Sequence, residues 1–179
     1  MVQRVKVNLD VIEGMIFYWQ STSEREKIGE SYLNDISKKK EMKYIYDDEF
    51  NEESVRKVLS SISNREVFKG DNKKESRFWN YNMWVLEDMG LTDMMIQPVK
   101  KLNLDHTVEM LNKLDGSDKY EEIEVIFVPG HFDIYKIVDN KLIINFFRVK
   151  ADLYSDDVTI EDMDMVKYIE EKLKELIEK

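Results

Sequence analysis

Residues 120–149 read YEEIEVIFVPGHFDIYKIVDNKLIINFFRV, and this stretch decides the fold. It holds three segments rich in β-branched and aromatic side chains, at 120–128, 131–138 and 141–149, separated by the turn-forming pairs Pro129-Gly130 and Asp139-Asn140. Three consecutive strands joined by short turns predict an antiparallel meander. The third segment is apolar on both faces, so we expect helices to pack against it.

The rest of the chain is predicted to be mainly helical. Two prolines and six glycines leave few residues that interrupt helices. Apolar side chains recur at helical spacing in segments that we place at about 8–20, 24–38, 51–63, 74–89, 105–114 and 159–177. Two short segments, 42–46 and 94–99, are expected to be extended, the second because Pro98 breaks a helix.

Capping residues support several of these helix boundaries. Asn8, Asn51 and Asp105 are predicted N-caps, because their side-chain oxygens can accept hydrogen bonds from the free amides of a first turn. Ser23 followed by Glu26 has the spacing of a capping box, and Gly90 is the expected left-handed residue at the end of helix 74–89.

Helices in one run and strands in another predict an α+β fold rather than an alternating α/β fold. The 179 residues fit a single domain, in which residues 1–116 form the helical part and residues 117–179 form the meander and a C-terminal helix. The apolar positions of the last helix keep an a/d rhythm, so we expect this helix to pack back onto the sheet.

The composition excludes several classes of site. The absence of cysteine excludes disulfides, thiolate zinc sites and cysteine nucleophiles, and it is typical of a reducing compartment. No apolar run approaches the roughly 20 residues of a membrane span, and the first residues lack the apolar stretch of a signal peptide. We therefore expect a cytoplasmic protein that does not bind a membrane.

The charge predicts the kind of partner. The formal net charge is −10, of which residues 91–179 carry −8 and residues 1–90 carry −2. An acidic surface repels the phosphates of nucleic acids and attracts basic proteins. The lysine-rich stretches 38–40 and 73–74 are interleaved with acids and do not form a basic patch. The sequence thus predicts no nucleic-acid binding and favours a basic protein as partner.

No motif points to a cofactor or to a known catalytic machinery. The glycines are scattered, so neither GxGxxG nor a P-loop occurs, and GxSxG and HExxH are also missing. The acids between 152 and 164 lack the spacing and the glycine of a calcium-binding EF-hand loop. We therefore assign no catalytic residue, metal or cofactor, and the sequence favours a protein that is not an enzyme.

Two groups of residues are candidates for binding. His131 and Asp133 lie two positions apart in a segment expected to be extended, where both side chains would project to one face and could share a metal or a proton. The composition of a turn accounts for the same two residues without any site. Residues 78–85 read FWNYNMWV, a helix too rich in aromatic side chains for all of them to face one small core. We interpret it either as a central helix or as a helix whose face is partly exposed for binding, in which case Asn80, Tyr81 and Trp84 are the contact residues.

These features leave two functional hypotheses open. The first is a non-enzymatic, acidic, protein-binding module, of the inhibitor or immunity type, that uses Asn80, Tyr81 and Trp84. The alternative is a small-molecule-binding or hydrolytic domain with a pocket between the helices and the meander and with His131 and Asp133 at its mouth. The missing phosphate loops and nucleophile motifs favour the first hypothesis.

Overall fold

The structure, a computed structural model, describes residues 1–179 and contains both α-helices and β-strands. The helices are α1 (Asp10–Ser23), α2 (Glu30–Ser37), α3 (Glu52–Ser63), α4 (Lys73–Glu87), α5 (Met89–Lys100), α6 (Thr107–Asn112) and α7 (Met165–Glu178), with short 3-10 helices at Lys40–Tyr44, Ser117–Lys119 and Phe146–Arg148. The strands are β1 (Arg4–Asn8), β2 (Glu122–Val128), β3 (Tyr135–Val138), β4 (Lys141–Asn145), β5 (Val149–Ala151), β6 (Val158–Ile160) and β7 (Met163–Asp164). Helical residues make up 51% of the chain, and the predicted α+β class is confirmed.

The chain divides into two compact units. Unit 1 comprises Met1–Leu9, Met94–Phe127 and Asp133–Lys179, and it holds both β-sheets, α6 and α7. Unit 2 comprises Asp10–Asp93 and Val128–Phe132, and it holds α1 to α4. None of the helices combines the length and the apolar character that crossing a membrane requires.

The main sheet of unit 1 has the strand order β1-β2-β4-β3. The three strands expected within 120–149 are present, but β4 lies between β2 and β3, so the consecutive order of a meander is wrong. The reason lies in the side chains, since four of the five β4 residues are buried whereas β3 is half exposed and occupies an edge. The fourth strand, β1, pairs in parallel with β2 through Val5 opposite Ile123 and Val7 opposite Val125.

The third predicted strand, 141–149, ends early at Asn145. The side-chain oxygen of Asn145 accepts a hydrogen bond from the amide of Phe147 at 3.1 Å, and this bond starts a 3-10 turn. Residues 149–164 then form a second, antiparallel sheet in the order β5-β6-β7. The predicted helix start at 159 is therefore wrong, because Glu161 and Asp162 adopt the positive φ angles of a tight β-hairpin turn.

Helix α7 begins at Met165 and packs against β4 and the small sheet, as expected of the C-terminal helix. The carboxylate of Asp164 caps it by accepting from the amide of Lys167 at 3.2 Å. Its buried side chains recur at helical spacing and include Ile169, Leu173 and Leu176.

Helix α3 of unit 2 follows its predicted boundaries closely. Asn51 caps it in a reciprocal capping box with Ser54, and the predicted stripe of Val55, Val58, Leu59 and Ile62 is buried. The hydroxyl of Tyr18 in α1 donates to the carbonyl oxygen of Leu59 at 2.6 Å. This bond fixes α1 against α3.

Three other predictions in unit 2 are wrong at the level of single turns. Ser23 forms no capping box, because it ends α1 and its hydroxyl donates back to the carbonyl oxygen of Gln20. Helix α2 correspondingly starts at Glu30 rather than near residue 24. Residues 42–46 are not extended, because Lys40–Tyr44 form a 3-10 helix.

The segment after α4 also differs from the prediction. Asp88 leaves the helical conformation and accepts a hydrogen bond from the amide of Leu91 at 3.0 Å, so it caps the start of α5. Gly90 consequently lies inside α5 and does not have a positive φ angle. Residues 94–99 are helical although Pro98 lies within them, two residues before the last residue of α5, Lys100. Asp105 does not cap α6, which starts at Thr107.

Candidate functional site

The aromatic helix α4 is positioned by its first turn and by its buried face. The side-chain oxygen of Asn72 accepts from the amide of Glu75 at 3.0 Å and caps the helix. Phe78, Asn82 and Val85 recur at i, i+4 and i+7 and are completely buried. This stripe orients the remaining side chains of α4 away from the core.

The outer face of α4 carries the three residues that the sequence marks as contact candidates. Asn80 and Trp84 lie one turn apart and are exposed, and Tyr81 is half buried beside them. Trp84 keeps 44% of its surface accessible, which is unusual for so large an apolar side chain. Glu87 and Asp88, one turn further along, are also exposed. The helix therefore serves both as core and as surface.

A cleft of about 490 Å³ opens within unit 2. One wall is a stripe of α4 formed by Trp79, Met83 and Leu86, all of them partly exposed. The other walls are the last turns of α1 and α3 and the residues that follow them, namely Thr22, Ser23, Arg25, Ser61, Ile62, Arg65 and Glu66, with Glu87 at the edge. Ligand sites in proteins commonly enclose roughly 300–1,000 Å³, so the cleft is large enough for a small organic molecule.

A second exposed feature is the loop between β5 and β6, residues 152–157, which we name the acidic tip. Its turn is held by Asp152, whose carboxylate accepts from the amide of Tyr154 at 2.9 Å and from the hydroxyl of Ser155 at 3.0 Å. The turn leaves Leu153 62% exposed and Tyr154 95% exposed. Three aspartates, at 152, 156 and 157, surround this apolar pair.

His131 is held inside unit 2. Its Nε2 lies 2.7 Å from the carbonyl oxygen of Ile45, and because a carbonyl can only accept, this nitrogen carries the proton. The ring lies 4.5 Å from that of Phe50, centroid to centroid, and the backbone oxygen of His131 accepts from Arg77 at 2.8 Å. Asp47 lies 3.7 Å from Nε2. These contacts anchor His131 to residues 45–50 and to Arg77 of α4.

Asp133 lies in unit 1, where its carboxylate is exposed and forms an ion pair of 2.9 Å with Arg148. Its carbonyl oxygen accepts from the side chains of Asn145 and Arg148, both at 3.2 Å. The structure thus gives His131 and Asp133 separate sets of partners. No group of three or more His, Asp or Glu side chains is arranged to hold a metal ion.

One further cluster of titratable groups lies in unit 1, between β3 and α7. The Tyr135 hydroxyl donates to both carboxylate oxygens of Glu175, at 2.8 and 2.9 Å, and the ammonium of Lys172 lies 4.4 Å from the centre of the Tyr135 ring. Burial and the nearby carboxylates of Glu161 and Glu175 raise the pKa of Tyr168. A phenol whose pKa is raised stays protonated at neutral pH, so Tyr168 is a poor general base.

Comparisons with protein-family models, with curated proteins and with solved structures found no match for this chain. The exposed face of α4, the cleft and the acidic tip are the features of the structure from which we argue a function.

Proposed function

We propose that this protein is a non-enzymatic, acidic binding module whose partner is a basic protein. The observation that supports the proposal most strongly is the outer face of α4, where Trp84 stands exposed between Asn80 and Glu87 on a helix that the core holds rigidly. Exposed tryptophans on rigid elements are common centres of binding energy, because they bury a large area and lose little conformational entropy.

The charge around Trp84 supports a basic partner. Glu87 and Asp88 lie within one turn of the indole, and the whole chain carries a net charge of −10. Complementary charge accelerates encounter and suppresses wrong partners, while the buried aromatic contact supplies most of the affinity. The partner surface should accordingly present lysine or arginine side chains around an apolar pocket.

The acidic tip supports the same proposal independently. Leu153 and Tyr154 form an exposed apolar pair ringed by aspartates, so they repeat the combination of apolar anchor and negative charge found on α4. The carboxylate of Asp152 holds the turn that presents them through two hydrogen bonds. Binding would therefore restrict few further rotatable bonds and lose little conformational entropy.

The alternative hypothesis, a small-molecule-binding or hydrolytic domain built around His131 and Asp133, receives less support. His131 is buried and bonded to a backbone carbonyl, and Asp133 is paired with Arg148. A catalytic base must reach the proton that it abstracts, and these side chains already serve internal contacts.

The test is capture of partners by the immobilised protein from the cells that produce it, compared between wild type and Trp84→Ala. Phe17→Ala is the matched control, because Phe17 is also an exposed aromatic residue of unit 2, on α1. We expect basic proteins to be retained by the wild type and by the control and to be lost from Trp84→Ala. The affinity of a purified partner, measured by calorimetry, should fall by about thirtyfold or more on Trp84→Ala.

Charge and tip variants extend the test. Glu87→Lys should weaken the interaction mainly through slower association, and Tyr154→Ala should weaken it if the tip reaches the same partner. A folded Trp84→Ala variant that binds the partner as tightly as the wild type would exclude α4 as the contact surface. A partner set dominated by acidic proteins or nucleic acids would contradict the proposal as a whole.

A further inference from the structure

Two helices of unit 2 end in the same six-residue pattern at the cleft. Residues 21–26 read STSERE and residues 61–66 read SISNRE, identical at four of six positions. Both segments close with the same hydrogen bonds. In the first segment the amide of Arg25 donates to the carbonyl oxygen of Thr22, and the amide of Glu26 donates to that of Ser21. In the second segment the amides of Arg65 and Glu66 donate in the same way to the carbonyl oxygens of Ile62 and Ser61. These bonds define a Schellman motif at the end of each helix.

An arginine occupies the left-handed position of both motifs. The φ angles are 62° at Arg25 and 57° at Arg65. Glycine, and to a lesser extent asparagine, is preferred at this position, because a Cβ atom in the left-handed region meets the following carbonyl oxygen. The conformation of the turns therefore does not account for arginine at both sites.

The arginines of the cleft differ from all the others in the chain. Of the six arginines, four have side-chain partners, namely Arg4 with Glu122, Arg56 with Glu53, Arg77 with the carbonyl oxygen of His131, and Arg148 with Asp133. The guanidinium groups of Arg25 and Arg65 are exposed and make neither an ion pair nor a hydrogen bond, although the protein is strongly acidic. Both line the same cleft.

The rest of the cleft limits what the arginines can bind. Its apolar wall is formed by Trp79, Met83 and Leu86, which suit a hydrocarbon or aromatic body. Glu66 and Glu87 also line the cleft and would repel a dianion such as a phosphate monoester. A single carboxylate satisfies both conditions, because planar guanidinium groups pair with it through two hydrogen bonds.

We propose that this cleft binds an amphipathic organic monoanion, with its carboxylate between Arg25 and Arg65 and its apolar body against Trp79, Met83 and Leu86. This inference goes beyond the proposed binding of a basic protein and does not depend on it, because Trp84 does not line the cleft. The proposed occupant is a small molecule, because a cleft of about 490 Å³ lies within the range of small-molecule sites.

The experiment compares three probes that share one apolar chain, namely octanoate, octanol and octylamine. Each is titrated into isotopically labelled protein while the three tryptophan indole N–H signals are followed by NMR, and calorimetry gives the affinity. We expect the chemical shift of the Trp79 indole N–H to change and that of the buried Trp19 to remain the same. Octanoate should bind at least about tenfold more tightly than octanol, and octylamine more weakly than either.

The variants assign the difference to the two guanidinium groups. Arg25→Gln and Arg65→Gln should each weaken octanoate binding by about tenfold and leave octanol binding unchanged. Arg56→Gln, on α3 but outside the cleft, is the matched control and should bind octanoate like the wild type. Arg25→Gly and Arg65→Gly remove the guanidinium while suiting the turn, so they should lose the same affinity with a melting temperature no lower than that of the wild type.

Three results would overturn the inference. Equal affinity for octanoate and octanol would show that the arginines do not select an anion. Octanoate binding that persists in both glutamine variants would place the anion elsewhere, and saturation without a shift of the Trp79 signal would place the apolar body outside the cleft.

Discussion

The indole nitrogen of Trp19 donates a hydrogen bond to the side-chain oxygen of Asn82 at 2.9 Å, and both side chains are completely buried. The amide nitrogen of Asn82 in turn donates to the carbonyl oxygen of Phe78 at 2.9 Å. A buried amide that uses both ends in this way joins α1 to α4 without leaving a polar group unsatisfied. Together with the buried Phe78 and Val85, this bond orients the exposed face of α4.

Replacing Asn82 with alanine should destabilise the protein by about 2–4 kcal/mol, because the Trp19 N–H loses its acceptor and a cavity forms. Urea denaturation followed by tryptophan fluorescence measures the change. Asn80→Ala, on the exposed side of the same helix, should change stability by less than about 0.5 kcal/mol. Equal effects of the two substitutions would mean that the Trp19–Asn82 bond contributes little.

His131→Ala should lower the free energy of unfolding by about 2–4 kcal/mol, since the carbonyl of Ile45 loses its donor and Phe50 loses a packing partner. Asp133→Asn, which removes only an exposed ion pair with Arg148, should cost at most about 1 kcal/mol. Thermal unfolding of the two variants distinguishes a structural histidine from a catalytic one. A catalytic His131 could be replaced without a comparable loss of stability.

Glu75 should make the stability depend on acidic pH. Burial alone would raise its pKa, but hydrogen bonds from the Asp71 amide and from the side chains of Lys57 and Ser54 outweigh burial and hold the pKa below its usual value. At pH values above about 4.3, the pKa of a glutamate in the unfolded chain, the charged Glu75 therefore stabilises the fold. This stabilisation is lost as the pH falls through the lower pKa that Glu75 has in the folded protein. Glu75→Gln should therefore cost about 1–3 kcal/mol at neutral pH.

The same Glu75→Gln variant should approach the wild type in stability as the pH is lowered below about 4. Urea denaturation at a series of pH values gives this comparison. A stability difference that stays constant from neutral to strongly acidic pH would mean that the charge of Glu75 is not responsible.

Arg65→Gly should raise the free energy of unfolding by about 0.5–1 kcal/mol. The substitution removes the strain of an arginine in the left-handed conformation, and this gain exceeds the loss that comes from the greater conformational entropy of glycine in the unfolded chain. For a chain of this size the melting temperature should increase by about 1–4 °C. Asn64→Gly is the matched control. Asn64 directly precedes Arg65 but has a negative φ of −85°, so this variant should have a lower melting temperature than the wild type. A decrease for both variants would show that the arginine side chain itself stabilises the turn.

The elements predicted correctly are those whose signals are local. Helix α3 could be located because the Asn51 cap and the buried stripe from Val55 to Ile62 lie within twelve consecutive residues. Strand β1 escaped prediction because its partner β2 lies more than a hundred residues away, and five residues with two valines do not identify a strand by themselves. The helix around Pro98 escaped because tertiary packing outweighs the hydrogen bond that proline removes there, since Met95, Ile96 and Val99 beside it are buried.

The candidate site was predictable in the same uneven way. The excess of aromatic residues on α4 left open whether the helix is central or partly exposed, and the structure shows that Trp84 and the neighbouring Asn80 are exposed. The cleft was not predicted, because three separate helices contribute to it, although the repeated Ser-x-Ser-x-Arg-Glu pattern was a readable signal. The sequence of the acidic tip predicted the solvated start of a helix. In the structure the tip instead joins two strands of the second sheet, whose hairpin turn at 161–162 was not recognised.

The parallel pairing of β1 with β2 has a consequence for synthesis on the ribosome. Arg4 and its partner Glu122 are 118 positions apart, so at about 5–20 residues per second the first strand waits roughly 6–24 s for the second to be made. During that interval the β2 partners of its amides and carbonyls, and the β2 side chains that pack around Val5, have not yet been made. Because closing so long a loop precedes any gain from the contacts, the sheet forms after the local helices. The nascent chain is thus more exposed to aggregation at its first strand than the finished protein is.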